Sequence, residues 1–199
     1  MSIAIGLSGI ADWSAAQPFI NVLKCGRVWE ARSASDWVHT SYDAMKAGGH
    51  LDSDGNPIRI PSGANRVGSI ILTEINAADT SLNGRYRLEW TGEGTLSVQG
   101  ATIANRGAGW LEFDYRAAGS NLVLIDITAI NAVNPIKLRH CVRTDHLARY
   151  AAGEIFRPAW LELVRGFSLL RFMDWQGTNN SKQRVWAWQI YLRYSPNLD

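Results

Sequence analysis

Apolar and polar side chains alternate along several short stretches in the middle of the chain. In the stretch 84–90, Tyr86, Leu88 and Trp90 fall on one face of an extended strand. Similar stretches recur at intervals of roughly 10 residues, a spacing typical of antiparallel sandwiches rather than of βαβ units. Gly92-Glu93-Gly94 predicts a hairpin turn after the first of them. The pattern predicts strands over 67–75, 84–90, 95–99, 110–116, 121–130, 135–143 and 185–194.

The first third of the chain lacks this periodicity. Residues 1–66 carry many turn formers, which indicates loops and extended segments with a short helix over 15–25. Near the other end, Pro158 suits the first turn of a helix, and one or two short helices are expected near 158–175. We therefore expect a mainly all-β protein, an antiparallel β-sandwich or jelly roll. A loop-rich segment, 1–66, packs on or extends from the sandwich unit, 67–199, in one domain overall.

The composition is that of a folded domain and argues against several classes of protein. With 199 residues, 46% hydrophobic and 19% charged, the chain can bury a sizeable core. The formal net charge is +2 and Lys and Arg do not cluster, so nucleic acid is not an expected partner. No apolar run approaches the roughly 20 residues that span a bilayer, and the start lacks the basic region of a signal peptide. Neither membrane insertion nor signal-dependent secretion is expected.

Motifs for metal binding or catalysis are weak. Cys25 and Cys141 are far apart and have no metal-site spacing, so two buried thiols are expected. The stretch 52–56 resembles a calcium loop, but its glycine is at the fourth rather than the sixth position, which favours a tight turn. Glycoside hydrolysis needs two carboxyl groups flanking the sugar, and Asp174 is the one acid placed among aromatic residues in a polar segment. The sequence therefore predicts no catalytic residue, no metal site and no cofactor.

The segment 169–181 mixes charged, amide and large apolar side chains. Polar groups are costly to bury unless they are paired, so the segment forms either a buried network or a wall facing a ligand. We expect the network interpretation, in which Arg171 and Asp174 neutralise each other and Thr178 helps to turn the chain into its last strand.

Nine tryptophans are an unusually large number for a chain of this length. Aromatic residues favour strands, so most of these rings are expected in the core. The alternative is that some lie exposed as flat platforms for sugar rings, next to planar hydrogen-bonding groups. On composition, the candidates for carbohydrate binding are Trp110, Trp175, Trp186, Asn179 and Asn180.

Four groups of residues give the chain a family resemblance that runs from end to end. They are Gly9-Ile10-Ala11-Asp12-Trp13-Ser14 with Pro18-Phe19-Ile20-Asn21; Gly84-Arg85-Tyr86 with Gly92-Glu93-Gly94; Asn134-Pro135-Ile136; and Phe156-Arg157-Pro158-Ala159-Trp160-Leu161 followed by Leu170-Arg171-Phe172-Met173-Asp174-Trp175 and Thr178-Asn179-Asn180-Ser181. With these, the chain resembles bacterial and phage-associated proteins whose amino-terminal β-sandwich precedes a glycoside-hydrolase-like region. The resemblance implies an architecture rather than an activity.

The same resemblance shapes the expected function. In longer relatives the motif around Asp174 opens a barrel domain, whereas about 18 residues follow Ser181 here, too few for a barrel. We expect a non-enzymatic structural or adhesion subunit of a phage or phage-like virion, a spike, fibre or attachment component. It would be made in the cytoplasm and act on the virion or extracellular particle surface. Its expected partners are other virion subunits, copies of itself and cell-surface polysaccharide. A free carbohydrate-binding module is the alternative, and a minimal glycoside hydrolase resting on Asp174 is a third interpretation.

Overall fold

The structure, a computed structural model, describes residues 4–7, 9–172 and 175. Its main body is an all-β sandwich of two four-stranded antiparallel sheets, as the alternation predicts. Three short α-helices and a small two-stranded parallel sheet accompany it. The strands are β1 (Ala4–Gly6), β2 (Glu30–Arg32), β3 (Arg66–Ile71), β4 (Gly84–Thr91), β5 (Gly94–Gln99), β6 (Thr102–Gly107), β7 (Trp110–Tyr115), β8 (Val123–Ile130), β9 (Lys137–Arg143) and β10 (Leu169–Arg171), and the helices are α1 (Tyr42–Ala47), α2 (Leu147–Ala151) and α3 (Pro158–Arg165).

The chain passes back and forth between the two sheets. The first sheet has the order β6-β7-β4-β9 and the second sheet has the order β2-β3-β8-β5. Nested antiparallel pairs, β6 with β7, β5 with β8 and β4 with β9, wrap the chain around the core in the manner of a jelly roll. Each sheet thus has an inner face on the core and an outer face.

The core confirms the predicted alternation. Tyr86 and Leu88 of β4 face Leu111, Phe113 and Tyr115 of β7 across the first sheet, and all five side chains are buried. The second sheet covers them with apolar residues of β3 and β8. In these strands every second side chain faces the core, and the side chains between them lie on the outer face.

The predicted hairpin at residues 92–94 is wrong. β4 and β5 belong to different sheets, so this turn carries the chain from the first sheet to the second. Gly92 has a φ of 85°, and a Cβ there would collide with the backbone carbonyl of Pro135. Glu93 ties the turn to the β8–β9 connection, because its carboxylate accepts hydrogen bonds from Asn131 and Asn134. A turn sequence fixes local geometry but does not reveal which sheet the next strand joins.

The segment 1–66 contributes more to the sandwich than its composition predicts. β2 forms an edge of the second sheet by pairing with β3, and β3 itself begins at Arg66. The helix expected over 15–25 is reduced to one 3₁₀ turn, Val22–Cys25, while α1 occurs where no helix was predicted. The boundary between a loop-rich segment and a sandwich unit at residues 66 and 67 therefore cuts through the second sheet.

After β9, the chain leaves the sandwich. α3 begins at Pro158 as predicted, and it lies between β9 and β10 in the sequence. β10 pairs in parallel with β1, so the two strands that are farthest apart in the described sequence are adjacent in space. The predicted strand 185–194 lies outside the described residues. Within the described part of the chain, no helix combines the length and apolar character needed to span a bilayer.

Candidate functional site

Trp110 lies on the outer face of the first sheet, as its alternation with Leu111 predicts. Its register partners are Gly107 on β6 and Glu89 on β4. A Cβ at Gly107 would lie 2.5 Å from the indole Nε1, so the ring leans over the glycine backbone. The guanidinium carbon of Arg87 lies 4.1 Å from the ring centroid. One ring face is therefore covered by a cation, which reduces the area of Trp110 that a sugar could use.

Arg87 is itself fixed by acidic side chains on both sides. Its Nε donates a 2.6 Å hydrogen bond to Glu89 on its own strand, and its Nη1 donates a 3.4 Å bond to Glu112 on β7. Asn105 on β6 donates to the other Glu112 oxygen at 3.2 Å. These polar side chains bind one another on a half-exposed sheet face, so a structural role accounts for the acidic residues on these strands.

Trp175 is half-buried in an apolar cluster rather than exposed as a platform. Its ring centroid lies 5.2–5.8 Å from those of Phe19, Trp160 and Phe172, and 6.4 Å from that of Phe156. These contacts join α3 and the residue after β10 to the early loop, and Ile5 of β1 belongs to the same apolar cluster, so Trp175 packs between distant parts of the described chain.

The predicted network at 169–181 is only partly described. Arg171 is exposed at the end of β10, and its backbone carbonyl accepts a 2.9 Å hydrogen bond from Leu7. The predicted pairing of Arg171 with Asp174 stays a prediction, because Asp174 lies outside the described residues. Outside the described residues lie Asp174, Thr178, Asn179, Asn180 and Trp186.

The two cysteines, Cys25 and Cys141, are buried, as the sequence predicts, and burial raises the pKa of the Cys25 thiol to about 12. His140 lies on the outer face, opposite to Cys141, as their positions in a strand predict. Among the described residues, no three His, Cys, Asp or Glu side chains are grouped so as to hold a metal ion.

The stretch 52–56 is the predicted tight turn. Its Asp52 Oδ1 accepts backbone hydrogen bonds from Asp54 at 3.0 Å and from Asn56 at 2.8 Å. The other Asp52 oxygen lies 2.9 Å from Lys137 Nζ. Asp52 therefore stabilises a turn and anchors it to β9.

Two tryptophans that sequence reasoning did not select are the most exposed ones in the described chain. Trp13 is 61% exposed and Trp37 is 50% exposed, and each lies on the guanidinium of an arginine that pairs with a buried aspartate. Both belong to the loop-rich segment, where no periodicity reports burial. The sequence around Trp13 and Trp37 does not indicate that either ring is exposed. The arginine beneath Trp13 is more than ten residues away in the sequence, and the arginine beneath Trp37 is buried.

The Trp37 stack consists of Trp37, Arg32 and Asp126. The Arg32 guanidinium carbon lies 4.5 Å from the Trp37 ring centroid, and its Nε donates a 3.2 Å hydrogen bond to the Trp37 carbonyl. Its Nη1 donates a 3.3 Å bond to Asp126, and its Nη2 lies 3.9 Å from Glu30. All three guanidinium nitrogens of Arg32 are therefore engaged, and the indole is held against the outer face of the second sheet.

Gly68 makes the Trp37 stack possible. The register places Gly68 between Glu30 of β2 and Asp126 of β8 on the outer face. Arg32 crosses over this glycine to reach Asp126, and a Cβ there would collide with Arg32 Nη1 and Asp126 Oδ1. Glycine inside a strand commonly marks such a close approach.

Burial makes the ion pair of the Trp37 stack costly. Desolvation lowers the pKa of Arg32 and raises that of Asp126, because each loses hydration in its charged form, while their mutual attraction opposes both shifts. Gln99 compensates in part by donating a 2.9 Å hydrogen bond to Asp126. Retaining a buried pair of this kind beneath an exposed indole fixes the position of the ring at some expense of stability.

The Trp13 stack consists of Trp13, Arg27 and Asp12. The Arg27 guanidinium carbon lies 5.3 Å from the Trp13 ring centroid, and its Nε donates to both Asp12 oxygens at 2.9 and 3.0 Å. Asp12 is only 1% exposed. Thr73 donates a short hydroxyl hydrogen bond to Asp12 Oδ2 and a 2.8 Å backbone hydrogen bond to the Asp12 carbonyl. The aspartate beneath Arg27 is thus fixed from two sides.

Backbone strain concentrates around Asp12. Among the described residues, positive φ angles outside glycine occur at Gln17, Leu72 and Glu74, with values of 31°, 53° and 51°. Leu72 and Glu74 flank Thr73, and the Gln17 amide donates a 3.1 Å hydrogen bond to the Asp12 carbonyl. Such conformations cost about 1–3 kcal/mol each and persist where surrounding contacts impose them, often at functional sites.

The two stacks share one arrangement: an exposed indole, a guanidinium beneath it and a buried carboxylate. Asp12 and Asp126 are buried, so the groups that the stacks present at the surface are the two indoles and, in the Trp13 stack, the edge of the guanidinium. No protein-family model, curated protein or solved structure matches this chain.

Proposed function

We propose that this protein is a non-enzymatic adhesion module that binds polysaccharide through the Trp13 and Trp37 stacks. The observation that carries the proposal is the repeated arrangement of an exposed indole on an anchored guanidinium. An exposed tryptophan usually costs solubility without benefit, whereas a ring held at a fixed angle offers a preorganised surface.

The chemistry of sugars fits such a surface. A pyranose ring has an apolar face of C–H groups and an equatorial rim of hydroxyl groups, so it stacks on an indole and hydrogen-bonds to planar groups around it. Around the Trp37 stack, the outer face of the second sheet carries the carboxylate of Glu30, the guanidinium of Arg66 and the amide of Gln99. The proposal is supported by this arrangement, in which an aromatic ring and planar polar groups share one face of the sheet.

The proposed setting is the surface of a phage or phage-like particle, where the module acts as a spike, fibre or attachment component. This part rests on the resemblance of stretches such as Phe156-Arg157-Pro158-Ala159-Trp160-Leu161 to phage-associated proteins. Its partners there are other particle subunits and further copies of the same chain. A free carbohydrate-binding module would use the same stacks without a particle.

A binding experiment tests the stacks. Wild type and the variants Trp13→Ala, Trp37→Ala and Trp110→Ala are applied to an array of bacterial surface polysaccharides, and hits are measured by calorimetry. We expect each stack variant to weaken binding about tenfold, equivalent to about 1.4 kcal/mol. Trp110→Ala is the matched control, because Trp110 is an outer-face indole that also lies on an arginine, but it is less exposed than Trp13 and Trp37 and leans over the Gly107 backbone. Wild type without affinity for any polysaccharide would refute the binding proposal.

Imaging tests the setting. Electron microscopy of native particles, with antibody against this chain, is expected to label symmetric positions at a tip or fibre. If the protein binds polysaccharide but never co-sediments with particles, the particle setting is wrong and the protein is a free carbohydrate-binding module.

A further inference from the structure

We propose that the Trp13 stack is a subsite for an acidic sugar, one whose ring stacks on Trp13 while its anionic group is bound by Arg27. The inference rests on the proposed polysaccharide binding and adds a substrate class to one of the two stacks. The juxtaposition that carries it is a half-exposed guanidinium, with donors that no described residue engages, over part of the ring of an exposed indole.

The hydrogen bonds of Arg27 leave its outer edge available. Only its Nε donates to Asp12, and neither Nη group makes a hydrogen bond with any of the described residues. The arginine side chain is 36% exposed, so these donors can reach a ligand. Two parallel N–H groups of a guanidinium match the two oxygens of a carboxylate or sulfate in a bidentate pair.

The Trp37 stack differs in this respect. Arg32 is 1% exposed, and its three nitrogens contact the Trp37 carbonyl, Asp126 and Glu30. It supports the indole, but its burial keeps its donors from a ligand. The two stacks therefore present different groups to a ligand. The Trp37 stack presents an indole alone, and the Trp13 stack presents an indole together with a guanidinium.

Asp12 orients the Arg27 guanidinium without engaging its two Nη groups. Because Thr73 holds the Asp12 carboxylate from below, the Nε bond fixes the plane of the guanidinium. The strained backbone at Leu72 and Glu74 on either side of Thr73 is the local cost of this placement. A fixed guanidinium loses less side-chain entropy when an anion binds, which favours affinity.

The ligand class follows from the distance between the two groups. The guanidinium carbon lies over the Trp13 ring, 5.3 Å from its centroid, so the sugar must stack on the part of the indole that Arg27 leaves open. A group bound by Arg27 must then be attached close to that sugar ring. Uronic acids and sugar sulfates both carry their anionic group directly on, or one carbon from, the ring. The shared chemistry is a ring-proximal anion with at least two oxygens.

The test compares polymers that differ only in charge. Polygalacturonate and its fully methyl-esterified form share one backbone, and a sulfated galactan with its desulfated form gives the second pair. Wild type is expected to bind at least one anionic member about tenfold or more tighter than its neutral counterpart, since hydrogen bonds between charged groups are stronger than those between neutral groups. The preference is expected to shrink with added salt. The pair that shows it identifies carboxylate or sulfate as the source.

Three variants assign the preference to Arg27. Arg27→Gln should abolish the anionic preference, so that charged and neutral polymers bind alike, and Arg27→Lys should keep part of it, because an ammonium is not a bidentate fork. Arg106→Gln, an exposed arginine on β6, should leave the preference intact. Thermal unfolding checks that each variant is folded. If Arg27→Gln does not fold, Arg27→Lys still tests the subsite, because it retains a cation for Asp12.

Two results would overturn the subsite. Wild type that binds anionic and neutral members equally, or Arg106→Gln that matches the loss in the Arg27 variants, shows that no specific acidic subsite exists while polysaccharide binding stands. Absence of binding to every polysaccharide, charged or neutral, instead refutes the proposed function on which the subsite rests.

Discussion

Arg32 and Asp126, which are 94 positions apart in the sequence, meet at 3.3 Å on the outer face of the second sheet, and neither side chain is more than 1% exposed. The contact is unusual because an outer face ordinarily leaves charged groups in water. Trp37 covers the pair from outside, and Gly68 leaves room for it from below. The position of the exposed indole thus depends on an ion pair that joins the edge strand β2 to the interior strand β8.

The glycine beneath this pair is expected to be irreplaceable. Gly68→Ala places a Cβ inside the contact radii of Arg32 and Asp126, so the pair must separate while both charges stay buried. We expect the free energy of unfolding to fall by about 3 kcal/mol in urea denaturation. Gly166→Ala is the matched control, since nothing lies within 4 Å of its added Cβ. Equal stability of the two variants would contradict the role of Gly68.

The pair itself is expected to show strong coupling. Arg32→Met or Asp126→Leu alone strands one buried charge and should cost about 3–5 kcal/mol. The double variant removes both charges and should recover much of that loss, which a double-mutant cycle in urea measures. Additive single effects would mean that the two groups do not act as a pair. Recovered stability with weaker polysaccharide binding would show that the pair positions Trp37 rather than stabilising the fold.

Both cysteines are expected to be unreactive in the folded protein. Burial raises the pKa of Cys25 to about 12 and raises that of Cys141 as well, so almost no thiolate exists at pH 8. Iodoacetamide should modify neither residue in native buffer and both in guanidinium chloride, as intact-mass spectrometry would show. Fast native alkylation at either position would place that thiol at the surface.

Acid is expected to destabilise the fold through His146. Burial, and then the neighbouring Arg143, lower the pKa of His146, whose Nε2 lies 3.1 Å from Arg143 Nη2. Because its folded pKa is below its unfolded value of about 6.5, protons bind the unfolded chain preferentially once the pH falls below that value. This one group should lower the free energy of unfolding by up to about 1.4 kcal/mol per pH unit until the folded pKa is passed.

The variant His146→Gln isolates that contribution. Its melting temperature should change less between pH 7 and pH 5 than that of wild type, because an amide does not titrate. An unchanged pH profile in His146→Gln would remove His146 as a source of acid sensitivity.

Local pattern predicted the strands that obey a strict period of two. β4 and β7 were found with their inner and outer faces correctly assigned, because burial on one face selects residues at every second position. β6 was missed, since its register shifts between Ile103 and Asn105 and breaks the alternation. β2 was missed because three residues are too few to show a period.

The sequence did not indicate which tryptophan rings are exposed. Trp110 does lie on an outer face, but its coverage by Arg87 depends on a neighbouring strand. Trp175 packs in a cluster whose members come from both ends of the described chain. The exposed rings, Trp13 and Trp37, lie in loops where exposure is decided by distant residues rather than by neighbours in the sequence.

The sequence by itself determined the all-β class, the inner faces of the central strands, the helix start at Pro158 and the buried state of both cysteines. These depend on local propensity and on the period of burial, which short stretches of chain record. Only the tertiary structure decided which sheet each strand joins, how β1 meets β10, and which tryptophans face water on anchored guanidinium groups. Those features arise from contacts between residues such as Arg32 and Asp126, whose partnership no local pattern encodes because it forms only when distant strands pair.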